Sequence, residues 1–201
     1  LANGSGAVAA SESVRVCGAA NTIWRDEDGE WRADNTDVEA FYHSLIEIYR
    51  GELADADVLV VGAGGAARAV LTALRERVAS ITITNRTSER AHALANGFGL
   101  PDSAVYSRSA LADMTPGAFD IVVQTTSVGM LHGPPGDPIA DFVFAGTETV
   151  FDVVYTPDET PLLKRAREAG CTTRNGADMF ERQADLQYRR FRSLIGERDS
   201  G

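Results

Sequence analysis

An uninterrupted apolar stretch, Val58-Leu59-Val60-Val61, runs directly into Gly62-Ala63-Gly64-Gly65-Ala66-Ala67 and then into residues with helical apolar spacing. Few folds can use such a piece. Four consecutive aliphatic residues suit a strand covered on both faces, as parallel sheets require. In the glycine turn, Gly62 permits a tight reversal, Gly64 lets the backbone approach a ligand, and the small Ala67 lets the helix pack against the strand. The free N–H groups and positive dipole end of that helix then face an anion. A glycine-rich turn alone has ordinary structural explanations. With a strand before it and a helix after it, the expectation is a dinucleotide site whose phosphates meet this turn.

The flanking pattern is consistent with this. Ala66, Ala69, Val70, Ala73 and Leu74 form the expected buried stripe of the helix. Strands at 80–84, 104–106, 120–124 and 149–154 alternate with helices at 88–96 and 161–169 and a helical turn near 109–114. Such alternation implies an α/β fold of Rossmann type, a parallel sheet with helices on both faces. Upstream, 22–25 and 30–32 flank Asp26-Glu27-Asp28-Gly29 as a hairpin. Asn35-Thr36 then caps a helix carrying Val38, Phe41, Tyr42, Leu45, Ile48 and Tyr49, stopped by Gly51. The first twenty residues show no clear pattern. A last helix, 178–195, carries Met179, Phe180, Leu186, Phe191 and Leu194.

The second strand selects the dinucleotide. NAD sites usually end it, about 20 residues on, with a carboxylate on the ribose hydroxyls. Here it ends in Asn85-Arg86-Thr87, followed by Arg90. Guanidinium groups suit bidentate contact with a 2′-phosphate, so NADP is expected, although arginines at a helix start can also be merely solvated.

Composition removes other classes. A formal charge of −10 argues against nucleic-acid binding, which needs Lys and Arg on phosphates. Arg189-Arg190-Phe191-Arg192 reads as a solvated helix end. The longest apolar run, 58–63, is far short of the ~20 residues that cross a bilayer. Cys17 and Cys171 lie far apart, and His43, His92 and His132 are isolated, so neither a disulfide nor a metal site is expected. A reducing, cytoplasmic location follows. The start at Leu1 shows no secretory leader and suggests that the chain begins inside a longer protein.

Several motifs occur in order: Gly18-Ala19-Ala20-Asn21-Thr22, Asn35-Thr36-Asp37, the glycine turn, Asn85-Arg86-Thr87, Thr125-Thr126-Ser127-Val128-Gly129-Met130, Asp152-Val153-Val154-Tyr155-x-Pro157 and Met179-x-x-x-Gln183. As a set, spanning Gly18 to Gln183, they resemble the shikimate dehydrogenase family. The segment Asn175-Gly176-Ala177-Asp178-Met179-Phe180 with Arg182-Gln183-Ala184 looks most like the branch fused behind 3-dehydroquinate dehydratase, a possible fused or associated partner. Gln124 stands where the family usually has Asn, and Asp178 where it usually has Gly.

The resemblance implies NADP-dependent interconversion of 3-dehydroshikimate and shikimate, with no nucleic-acid or membrane partner. It implies a partial substrate domain at 1–36, an NADP-binding domain at 37–177, and a helix at 178–201 returning to the substrate domain. Asn21 and Asp37 would bind substrate hydroxyls, and Tyr155 and Gln183 would complete the substrate's surroundings. Residues 62–66 and 85–90, the latter including Asn85, Arg86, Thr87 and Arg90, would hold the cofactor, with Val153 and Gly176 at its nicotinamide end. Thr125 and Ser127 follow a strand's C-terminal end, where open α/β sheets bind ligands. Asp37 lies in a helix's first turn, where the dipole favours the charged form and a ligand can meet it; the alternative is helix capping. Gln183 lies on an otherwise apolar helix face, so its amide is either satisfied internally or binds a polyol. The family's catalytic Lys, in a VTxPxK stretch, would fall at or before Leu1. A truncated chain, inactive alone, is therefore the expectation. The alternatives are a quinate/shikimate dehydrogenase of broader specificity and a non-catalytic NADP-binding regulatory module.

Overall fold

The structure is a computed structural model that describes residues 8–195, with side chains to residue 192. Leu1 and the Leu194 side chain lie outside the described residues. In chain order the elements are β1 (Ala9–Ala10), α1 (Glu12–Cys17), β2 (Thr22–Arg25), β3 (Trp31–Asp34), α2 (Thr36–Ile46), β4 (Asp57–Val61), α3 (Gly65–Leu74), β5 (Ser80–Thr84), α4 (Ser88–Gly97), β6 (Val105–Tyr106), β7 (Ile121–Gln124), β8 (Thr149–Asp152), α5 (Pro161–Ala169), β9 (Thr172–Arg174) and α6 (Ala177–Ile195).

The opening segment, unreadable by pattern, contains one short strand and a helix. Ser11 caps α1 by accepting the Val14 N–H, and Gly18 ends it with φ 68°, the left-handed conformation glycine adopts without strain. Six residues are too few for periodicity to show. The expected hairpin is present as antiparallel β2 and β3, and β1 adds in parallel to β3, giving the order β1-β3-β2.

Six parallel strands form the main sheet in the order β6-β5-β4-β7-β8-β9. The order reverses at β4, which starts the sheet and lies between β5 and β7. Val58 and Val60 face a core shared with α2, α3 and α4, whereas Leu59 and Val61 face a second core with α5 and Phe119, Phe142 and Phe144. This is the two-residue alternation of a strand buried on both sides. Between β7 and β8 no helix forms, because Pro134, Pro135 and Pro138 interrupt the segment. Its buried Ile139, Phe142 and Phe144 cover that face instead.

Three local expectations shift. α2 ends at Ile46, before Gly51: the Ile48 and Tyr49 N–H groups both turn back to the Leu45 carbonyl. The Tyr49 ring then occupies the space where a β-carbon on residue 51 would stand. The buried stripe of α3 is Ala67, Ala69, Val70, Leu71, Ala73 and Leu74, and Ala66 is only half-buried. β9 is a short edge strand, Thr172-Thr173-Arg174, with no apolar pattern to announce it.

α6 lies along α2 and reaches β2. Its basic end is not simply solvated, since Arg190 pairs with Asp34 at 3.1 Å. Burial pushes the Asp34 carboxyl up, but hydrogen bonds from Ser11, Ser13, the Asn35 N–H and Arg190 outweigh burial and hold it below its ordinary value. Among the described residues no helix is long and apolar enough to cross a membrane, and no group of three or more His, Cys, Asp or Glu could hold a metal.

Phe41 of α2 meets Phe151 of β8 edge-on, with ring centroids 5.2 Å apart, and both are fully buried. Replacing a core phenylalanine by alanine costs ~3–5 kcal/mol. Phe41→Ala is therefore expected to lower the unfolding free energy by that amount, read as a lower urea midpoint without a change in the slope of the transition. A loss below ~1 kcal/mol would show that α2 is not packed as described.

Candidate active site

Two cavities open at the C-terminal ends of the parallel strands, beside the point where strand order reverses. There, loops leave in opposite directions and a crevice remains.

The larger, of about 530 Å³, is lined by Gly62, Ala63, Gly64, Asn85, Arg86, Thr87, Arg90, Thr125 and Ser127 among others. Gly62 has φ 123°, and a β-carbon there would collide with Thr125 Oγ1. That hydroxyl donates to the Val61 carbonyl at 2.8 Å, so Thr125 serves as wall and tie. Gly64 and Gly65 have open space where a β-carbon would point. Gly65 itself lines neither cavity and begins α3, whose N-terminus has no side-chain cap. Its first N–H groups are therefore left for a ligand, as phosphate-binding helix starts require. Asn85 donates from Nδ2 to the Thr87 carbonyl at 2.9 Å, holding the turn that presents Arg86. Among the described residues, Arg86 and Arg90 form no ion pair. These uncapped donors, open glycines and free cations fit a dinucleotide carrying several phosphates.

The smaller cavity, of about 350 Å³, gathers Asn21, Asp37, Ala66, Val153, Tyr155, Gly176, Met179, Phe180, Gln183 and Gln187. Asn35, not Asp37, caps α2, accepting the Asp37 N–H at 3.2 Å. The Asp37 carboxyl is thereby left for the cavity. The helix-start expectation of a favoured charge is corrected: burial pushes this carboxyl up and outweighs the lowering hydrogen bond from Asn21. Asn21 Oδ1 accepts from the Thr36 N–H at 3.0 Å and the Thr22 hydroxyl at 2.8 Å, and Nδ2 donates to Thr36 Oγ1 at 3.1 Å. The other amide hydrogen of Asn21 serves the Asp37 carboxyl. The Gln183 side chain forms no hydrogen bond among the described residues, and Gln187, one turn on, lines the same cavity, so that face is less apolar than expected. Tyr155 stacks on Phe180 with centroids 4.6 Å apart. Gly176 approaches Val153 so closely that a β-carbon would strike the Val153 carbonyl.

Asp152, buried at the end of β8, aims the loop carrying Val153 and Tyr155. It accepts the Val154 N–H at 2.9 Å and the Thr160 hydroxyl at 2.7 Å. Opposite the glycine turn, Arg68 of α3 donates to the Cys17 carbonyl at 3.2 Å, tying α3 to the loop that leads to Asn21.

A family model described as shikimate/quinate 5-dehydrogenase matches residues 44–130. The shikimate dehydrogenase (NADP(+)) of Shouchella clausii is 39% identical over 177 residues, 87% of this chain and 63% of that protein. That of Methylocella silvestris is 39% identical over 191 residues, 94% of this chain and 67% of that protein. The chain belongs to the shikimate/quinate dehydrogenase family. Among solved family structures, the shikimate 5-dehydrogenase of Thermus thermophilus, in complex with NADP(H) and shikimate, aligns with a TM-score of 0.75 at 31% identity, covering 90% of this chain and 65% of that one. The chain thus spans 63% of the length of the first relative and 67% of the second. Sequence reasoning missed Arg108, Pro134, Pro135 and Pro138 in one cavity and Phe180 and Gln187 in the other. Gln187 was accessible from its four-residue spacing to Gln183, whereas Arg108 lies in a segment with no family motif.

The Asp152 carboxyl, pushed up to about 6 by burial and, more weakly, by Asp137, against an ordinary 3.8, makes stability depend on pH. A folded-state value above the unfolded one means that the folded state holds the proton more tightly. Its stabilising contribution is full below pH ~4 and is lost as pH rises through about 6, a change of ~3 kcal/mol. Urea titrations of the parent and Asp152→Asn at pH 4 and pH 7 should differ in that direction, the parent losing more stability than the variant. Parallel pH profiles would disprove the assignment.

Proposed function

We propose that this chain is the cofactor-binding part, with a portion of the substrate domain, of an NADP-dependent shikimate dehydrogenase that interconverts 3-dehydroshikimate and shikimate. One observation carries the reading: the glycine turn and α3 serve both cavities, residues 62–64 lining the cationic one and Ala66 the polyol-sized one. A cofactor phosphate on the turn is thereby held beside a substrate on Asp37 and Gln183. When bound, NADP(H) supplies the hydride exchanged with the substrate carbon.

The residues divide the work by chemistry. The N–H groups at the start of α3 hold the pyrophosphate, and Arg86 and Arg90 the 2′-phosphate. Asn85 and Thr87 shape that end, Thr125 and Ser127 form the wall beyond β7, and Val153 and Gly176 narrow the nicotinamide end. Asn21, Asp37, Tyr155 and Gln183 hydrogen-bond the substrate hydroxyls. Asp37 orients the reacting oxygen, and its partner in proton transfer is the family's lysine, expected upstream of Leu1. The one lysine in the sequence, Lys164, stands exposed on α5, 4.0 Å from Glu168. Such proton transfer contributes ~10²–10⁴-fold. In this reading residues 37–177 form the cofactor side, and 1–36 with 178–201 the substrate side. A 3-dehydroquinate dehydratase fused or associated upstream, suggested by the motif at 175–184, and a reducing cytoplasm, consistent with two free buried cysteines, complete the proposal.

Arg86→Ala is expected to weaken NADPH binding about ten- to a hundredfold, the range for a hydrogen bond to a charged group, and to spare NADH. Titration calorimetry checks this, and equal affinity of the parent for both nucleotides would contradict the cofactor assignment.

In the full-length protein, Gln183→Leu should weaken shikimate binding by ~1–3 kcal/mol, leaving a ligand hydroxyl without its partner, while NADP affinity is unchanged. A variant with a lower melting temperature but an unchanged Michaelis constant for shikimate would assign Gln183 to structure alone.

A further inference from the structure

We propose that Arg108 is a specificity-determining residue, a third guanidinium for the adenosine 2′-phosphate that approaches from β6. This rests on the reading of the larger cavity as an NADP(H) site.

Strand register carries the argument. β5 and β6 run parallel with Thr84 opposite Tyr106. Arg86 and Arg108 therefore each stand two residues beyond that pair, at the same height on neighbouring strand ends. Adjacent strands lie ~4.8 Å apart, well within reach of two arginine side chains converging on one group. Both line the same cavity, as does Arg90 from the first turn of α4. Asn85 and its bond to Thr87 direct the β5 exit, whereas Arg108 is placed by the helical turn that follows it, Ser109–Asp113, where its carbonyl accepts the Leu111 N–H at 3.3 Å.

The charges need a counterpart. In a chain with 29 acidic and 19 basic residues, many surface arginines sit on a carboxylate, among them Arg32 on Asp26 and Arg167 on Glu159. Among the described residues Arg108, like Arg86 and Arg90, forms no ion pair. The carboxylate in the cavity wall, Asp137, is engaged by Arg165 at 2.8 Å. Like charges converging on one corner repel unless an anion lies between them, and a phosphate monoester offers about two negative charges and three acceptor oxygens. A ribose hydroxyl offers neither, so Arg108 discriminates between the two dinucleotides.

The test is binding, measured by calorimetry on the chain and on Arg108→Ala and Arg108→Lys, with NADPH, NADH, 2′,5′-ADP and 5′-ADP as probes. The expected result for Arg108→Ala is a loss of about tenfold for NADPH and 2′,5′-ADP, the lower end for a charged hydrogen bond because the side chain is exposed. NADH and 5′-ADP should change by less than about twofold, within the scatter of a surface substitution. Arg108→Lys should recover part of the loss, since it keeps the charge without the planar fork, and the deficit should shrink at high salt. Equal losses for phosphorylated and unphosphorylated probes would overturn the inference by placing Arg108 elsewhere. An unchanged Arg108→Ala beside a weakened Arg86→Ala would overturn it while the NADP reading stands. A parent that does not prefer NADPH would overturn both.

Discussion

Everything at the functional end of this fold depends on how closely β4 and β7 leave the sheet together. The Thr125 hydroxyl occupies the space a side chain at residue 62 would need, and that hydroxyl is bonded to the Val61 carbonyl. The two strand exits are thus locked by one hydrogen bond across one missing β-carbon. If they splayed, the glycine turn and the segment at 125–128 could not share a cavity wall. The same device recurs on the other side, where Gly176 lies against the Val153 carbonyl and donates its N–H to the Val154 carbonyl at 3.0 Å. Glycine is required at both places because there is no room for a β-carbon at either close approach.

Two carboxyls, one half-buried and one buried, illustrate how structure and function separate in such a site. Burial raises both Asp37 and Asp152. Asp152 is nevertheless satisfied, one oxygen taken by a backbone N–H and the other by Thr160, which also caps α5 by accepting the Leu163 N–H at 3.3 Å. It is internal scaffolding for the loop bearing Tyr155. Asp37 has the Asn21 amide beside it and, among the described residues, no ion pair with a cation. A half-buried carboxyl with unused acceptor capacity is held at a cost unless something else completes it, and it faces a cavity lined by other polar groups.

Much of this was legible in the sequence, for identifiable reasons. The β4–α3 unit declared itself through four aliphatic residues and three glycines, and α5 through its place after an apolar strand. Periodicity placed Met179 and Gln183 on one face. It failed where structure is set by non-local contact. β9 exists because β8 offers it an edge, and α1 is too short to carry a period. α2 ends at Ile46, with the Ile48 and Tyr49 N–H groups on the Leu45 carbonyl, rather than at Gly51. Asn21 was legible as a site residue, but not the extent to which Thr22 and Thr36 already occupy its amide. Arg108 could not be read at all, because its meaning comes from the register of β6 against β5.

The acidity of the chain does not contradict an anionic ligand. A formal charge of −10 acts over the whole surface, and at physiological ionic strength charges beyond ~8 Å are largely screened. What a phosphate meets is the local field of Arg86, Arg90 and Arg108 and the uncapped start of α3. Elsewhere many arginines are neutralised by the acidic side chains they touch, Arg165 by Asp137 and Arg190 by Asp34 among them. Other arginines without a carboxylate partner among the described residues, such as Arg15 on α1 and Arg50 after α2, stand on separate elements, whereas Arg86, Arg90 and Arg108 share one cavity with the glycine turn that leads into α3, so that an anion meets the most concentrated positive charge where the chemistry is proposed to occur.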